Sequence, residues 1–187
     1  MKMIQKGEKG YINHRKLVLL LTVLVLMISV AVFFFTGYIR YKSTKTIFTV
    51  LAVLMVLPAA KQFVMYAVIS SYKSADFEMY DYIKALVDNC DVQIISDLVI
   101  TSPEKVTNID FICVKGAKII GYAPHKKVDI DFITNNLRNV INPYYKINQI
   151  KFYTEYDKFK NAVENMKDVE SYKYDEDIAN LILTQCV

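Results

Sequence analysis

From Leu17 to Ile39 the chain runs for 23 residues without a charged side chain, bounded by Lys16 and Arg40. About 20 helical residues cross a hydrocarbon layer roughly 30 Å thick, so this run predicts a membrane-spanning helix. A signal peptide is the competing reading, because five basic residues precede the run. Its apolar core is too long for one, however, and the small residues Ser29 and Ala31 lie inside that core rather than after it. The flank Phe33-Phe34-Phe35-Thr36-Gly37-Tyr38 suits the far interface. A second apolar run follows Lys45 and reaches Tyr72, interrupted only by Lys61. Thr46 to Ala60 is slightly short, so a helix over 46–70 is expected to continue past Lys61, bent rather than ended by Pro58. Two readings of Lys61 stand. One is a side chain snorkelling to the interface; the other is an intramembrane functional lysine facing Ser29 or Thr22. No acidic partner lies in either span, and two helices enclose no transport pathway unless they oligomerise.

After Tyr72 the pattern becomes that of a folded domain. Ser74 is expected to cap a helix with Met79, Ile83, Leu86 and Cys90 at helical spacing, and Val92 to Thr101 reads as a strand. Asn108–Lys115 and Lys118–Ala123 form two strands around Gly116-Ala117, a tight hairpin turn. Alternation puts Ile109, Phe111 and Cys113 on one face and Asp110, Ile112 and Val114 on the other. With both faces apolar, the strand is expected to be central and Asp110 is a buried acid candidate. A helix opens at Asp129 and turns Ile130, Ile133, Leu137 and Val140 inward until Asn142-Pro143. A strand over Ile147–Tyr153, a helix from Thr154 with Phe159, Ala162, Val163 and Met166 inward, an irregular stretch over 167–174, and a last helix over Asp175–Cys186 complete the order. The expected architecture is a two-helix transmembrane hairpin (17–72) after a basic tail (1–16). An α+β, or mixed α/β, domain follows over 73–187, in the order α-β-β-β-α-β-α-α.

Charge changes the picture by dividing it. The 187 residues hold 23 Lys+Arg and 19 Asp+Glu. Nine of the bases and a single acid, Glu8, lie before Lys73, whereas fourteen bases and eighteen acids follow. The net +4 is thus a basic membrane piece joined to a weakly acidic domain, which argues against broad nucleic-acid affinity and excludes a disordered or disulfide-rich chain. Lys2, Lys6, Lys9, Arg15, Lys16, Lys73 and Lys84 flank the spans on the side of the termini, against Arg40, Lys42 and Lys45 in the connecting loop. This asymmetry places both termini in the cytoplasm. Cys90, Cys113 and Cys186 form no CxxC pair and suit a reducing compartment. His14 and His125 have no neighbour at ligand spacing, so no metal or other cofactor is expected.

Candidate chemistry is sparse. The element order, with Asp110 on the second strand, resembles the restriction-endonuclease-like core, in which a Glu-x-Lys on the next strand completes a divalent-metal site. Here those positions read Gly121 and Ala123, so the resemblance implies a degenerate site. The alternative for Asp110 is a carboxylate hydrogen-bonded to backbone. His125, Lys126 and Lys127 stand just before a helix N-terminus. They form a candidate anion-binding loop for a phosphate, a carboxylate or the anionic leaflet, although Asp129 and Asp131 supply negative charge to the same helix end and a solvated basic loop is the simpler reading. No Walker loop, dinucleotide fingerprint, nucleophile elbow or zinc-protease helix is present. The tyrosines Tyr144, Tyr145, Tyr153, Tyr156, Tyr172 and Tyr174, spread among charges, read as core edges.

Three segments, Lys6-Gly7-Glu8-Lys9-Gly10-Tyr11-Ile12 with Arg15-Lys16, Leu57-Pro58-Ala59-Ala60-Lys61, and Gly121-Tyr122 to Lys126-Lys127-Val128-Asp129, give the chain a resemblance. It is similar to uncharacterised small membrane proteins of low-GC Gram-positive bacteria. Some of these carry a glycosyltransferase-like name, yet Asp129-Ile130-Asp131 begins a helix rather than ending a strand, so no sugar-nucleotide metal site is expected. The resulting expectation is an inner-membrane protein whose partners are the bilayer and a protein or second copy, with a non-catalytic cytosolic interaction domain. The alternative is a membrane-tethered enzyme with a degenerate nuclease-like or sugar-transfer domain.

Overall fold

The computed structural model describes residues 4–43, 45–101, 105–124 and 128–186. It has two compact units, one of Asn13–Tyr72 and one joining the residues up to Ile12 with those from Lys73 onward.

The first unit contains most of helix α1 (Tyr11–Tyr41) and all of α2 (Ile47–Ser70), both long and apolar enough to cross a membrane. α1 begins well before Leu17, so Asn13 to Lys16, expected as tail, are helical. α2 starts where the sequence indicates, with Thr46 accepting the Thr49 N–H at 3.4 Å, and runs unbroken through Pro58. Gly37, Ala52 and Ala59 are buried. Such small residues let helix backbones approach closely in lipid. A Cβ on Gly37 would come within 2.7 Å of the Phe48 Cβ. Most remaining side chains, including Leu21, Leu24, Val25, Val53, Leu57 and Val64, expose apolar surface. The Lys16 ammonium donates to the Tyr72 carbonyl, joining the start of α1 to the residue that follows α2.

The second unit is a four-stranded sheet between two helical layers. Helix α3 (Phe77–Val87) precedes β1 (Gln93–Thr101), β2 (Val106–Lys115) and β3 (Lys118–Tyr122); α4 (Ile130–Ile141), β4 (Gln149–Tyr153), α5 (Tyr156–Glu164) and α6 (Asp175–Thr184) follow. Sheet order is β1-β2-β3-β4, antiparallel except for the parallel β3–β4 pair. The parallel pair needs a crossover, and α4 supplies it. On one face Ile95, Leu98, Ile109, Ile112, Val114 and Ile119 pack with Ile133, Leu137 and Ile141 of α4 and Ile178 and Ile182 of α6. On the other Phe111, Cys113, Ile120 and Tyr122 meet Ile83 and Val87 of α3 and Phe159 and Val163 of α5. β2 is therefore central, as its two apolar faces require.

Several expectations need correction. Asp76, not Ser74, caps α3, its carboxylate taking the Glu78 N–H at 2.8 Å. β4 begins at Gln149 rather than Ile147, and α5 at Tyr156 rather than near Thr154. α6 stops at Thr184, leaving Cys186 to bridge Ile100 at the sheet edge. Ile109 packs with Ile112 and Val114, not with Phe111 and Cys113. The same phase change occurs in β1, where Ile95 shares a face with Leu98 and Ile100. Both changes occur where Asp97 and Asp110 fall between the pairs Ser96–Phe111 and Leu98–Ile109. Asp97 has φ 56°, the left-handed region that breaks strict pleat alternation.

Candidate functional site

The central strand β2 and its edge partner β1 carry a group of buried polar residues: Ser96, Asp97, Thr107, Asn108 and Asp110. Their partners Gly7, Lys73 and Ala75 belong to the same compact unit. The Asp97 carboxylate takes the Ala75 N–H at 2.7 Å, just before α3. Burial pushes its pKa up, opposed by the donors Ala75, Ser74, Ile12 and Gly10 around the carboxyl. Its Oδ2 stays outside full hydrogen-bond geometry to any described residue. The Asn108 amide reaches the Lys73 carbonyl at 3.4 Å. Across the β1 edge, the Gly7 carbonyl receives the Ser96 N–H at 2.9 Å and its hydroxyl at 3.2 Å. Lys6 donates to the Cys186 carbonyl at 2.7 Å, and Lys9 pairs with Asp81 at 2.5 Å beside the Phe77 and Tyr80 rings. The segment before α1 thus forms part of the domain's edge.

At the other end of the β2–β3 hairpin stands a second polar anchor. Gly116 and Ala117 have φ 61° and 55°, a turn with both central residues left-handed. Glycine adopts this freely, whereas for alanine it costs about 1–2 kcal/mol, which hydrogen bonds to the turn can offset. Asp175 supplies them, accepting the N–H groups of Gly116 at 2.7 Å, Ala117 at 2.9 Å and Tyr172 at 2.8 Å. Asn148 closes the other side, its amide donating to Gly116 O at 3.1 Å and its N–H to Ala117 O at 2.9 Å. The buried Lys115 donates to the Lys167 carbonyl at 2.9 Å.

Asp110 is buried, and its charge is among the causes, after burial, that raise the Tyr122 pKa. The positions expected to correspond to a nuclease glutamate and lysine are filled by packing. A Cβ on Gly121 would lie 2.1 Å from the Phe152 ring, and Ala123 is fully buried. A glutamate at 121 would have to displace that ring. Among the described residues no group of three or more His, Cys, Asp or Glu is placed to hold a metal ion. Cys113 and Cys186 are buried thiols pushed up to about 12 by burial, poor nucleophiles at neutral pH, and Cys90 is half-buried. Lys61 lies on α2 with its side chain exposed. His125, Lys126 and Lys127 lie outside the described residues.

Sequence reasoning singled out Asp110 and passed over Asp97, Lys115 and Asp175. Asp97 had a signal: an acid inside the β-branched run Ile94-Ile95-Ser96-Asp97-Leu98-Val99-Ile100. Asp175 had none beyond its place at a helix start, because its acceptor role depends on a turn 58 residues away. No protein-family model, curated protein or solved structure matches the chain.

Proposed function

We propose that the protein is a membrane-anchored interaction module. In this reading α1 and α2 cross the bacterial cytoplasmic membrane as a hairpin, and the mixed α/β domain meets a protein partner or a second copy of the chain at the cytoplasmic face. The observation that carries it is the union of the residues up to Ile12 with those from Lys73 onward in one compact unit. Two apolar helices whose outer ends both join one folded body have to leave and return on the same side of a bilayer. The lysine and arginine asymmetry of the flanks supports the cytoplasm as that side. Chemical cross-linking of the full chain in its native membrane tests the interaction role. A specific cross-linked species, lost when exposed domain positions such as Tyr144 are replaced by charged residues, is expected; a chain that cross-links to nothing beyond lipid contradicts it.

A second reading, a membrane-tethered degenerate nuclease-like domain, draws support from the order α3-β1-β2-β3-α4-β4 with its parallel last pair. The filled positions at Gly121 and Ala123 weigh against activity. Mg²⁺ or Mn²⁺ binding by the full-length protein, abolished by Asp110→Asn, would favour this second reading over the first.

A further inference from the structure

On the sheet face shared with α5, a small cavity of about 180 Å³ opens beyond the end of that helix. Its lining is Lys118, Gln149, Lys151, Tyr153 and Asn165, with an apolar wall that includes Met166 and Val169. Every ionisable side chain in that lining other than the tyrosine is a lysine, and no carboxylate contributes to it. Register explains the convergence. Lys118 pairs with Gln149 and Ile120 with Lys151, so the two lysines stand on neighbouring strands, offset by two residues and on the same face. Strand spacing and rise put their Cα atoms about 8 Å apart, close enough for two long side chains to meet on one anion.

The walls are fixed from behind. Lys115 holds the Lys167 carbonyl, Val169 packs so closely that a Cβ on Gly116 would lie 2.4 Å from it, and the Asp175–turn–Asn148 network pins the strand ends. The negative end of the α5 dipole also faces this region and opposes an anion. Its last carbonyls are already engaged, however: Asn161 and Val163 by the Asn165 N–H, and Glu164 by the Lys167 N–H. Lys151 lies 5.1 Å from the Tyr153 ring centroid, which keeps its ammonium beside the cavity.

We infer that this cavity binds the phosphate group of a small phosphomonoester or of a lipid headgroup, with Lys118 and Lys151 as charge partners, the Gln149 and Asn165 amides as further donors, and Met166 and Val169 against the adjoining carbons. Two ammoniums and two amides match a phosphate dianion, which needs several donors at once. The inference does not depend on the membrane reading.

The test uses the full chain in nanodiscs of zwitterionic lipid. Calorimetric titration with inorganic phosphate and with glycerol 3-phosphate probes the soluble source, and co-flotation with phosphatidic acid against phosphatidylcholine vesicles probes the headgroup. Binding from at least one source is expected, weakened about tenfold or more by K118Q/K151Q and also by Asn165→Asp, which adds a carboxylate to the lining. Unfolding temperatures of the variants should match the parent, since these side chains lie at the surface. K126Q/K127Q should bind as the parent does. No binding from either source, or binding that survives K118Q/K151Q and disappears in K126Q/K127Q, overturns the inference.

Discussion

Asp97 is an acid in an unusual place: buried, left-handed, inside a strand, and holding the backbone that leads into α3. Its raised pKa means that folding favours the protonated form. Stability from this group is therefore complete below the ordinary carboxylate pKa near 4 and is lost as pH rises through the higher folded value. Asp97→Asn keeps an acceptor for the Ala75 N–H, tolerates the positive φ and removes the charge. It should stabilise the protein at neutral pH and do so progressively less in acid, as read from thermal unfolding at several pH values. A variant no more stable than the parent at pH 7 would show that the surrounding donors already compensate the charge. Asp175 acts in the opposite sense. Removing the acceptor of three N–H groups by Asp175→Ala should cost about 3 kcal/mol, measured by denaturant unfolding. The sequence reading passed over both acids, although Asp97 interrupts a local apolar pattern and so left a signal along the chain, whereas Asp175 left none.

At the scale of elements, hydrophobic periodicity located the strands and helices because their burial is local: α4 has its cap at Asp129 and its stripe at Ile133 and Leu137 as the spacing requires. Boundaries set by long-range partners were not visible. Cys186 leaves the α6 pattern because it bridges Ile100, and Ile109 changes face because two strands shift phase together. Gly121 is a further case. Read along the chain it is a missing catalytic residue; in the sheet it is the space the Phe152 ring occupies. Gly121→Ala should destabilise the domain by about 2–3 kcal/mol, and Phe152→Leu in the same chain should recover part of that loss. Additive losses in the double variant would mean that the two positions do not share the space.

For the whole molecule, the division into a basic apolar hairpin and a weakly acidic domain is visible in charge and hydropathy alone. The boundary between them is not, because Lys6, Gly7 and Lys9 carry the composition of a basic tail yet bond to Cys186, Ser96 and Asp81. Weakening that edge by Gly7→Val, where a Cβ would meet Ile95 at 2.7 Å and φ is 87°, should lower the domain's unfolding temperature by several degrees. An unchanged unfolding temperature would show that the segment is not integral to the domain. The central claim is a hairpin whose two outer ends meet one cytoplasmic domain, and labelling with a membrane-impermeant thiol reagent tests it most directly. Ser43→Cys in the loop between α1 and α2 and Tyr144→Cys on the domain are both exposed positions. In intact spheroplasts the loop cysteine should react and the domain cysteine should react only after permeabilisation; labelling of Tyr144→Cys from outside would contradict it.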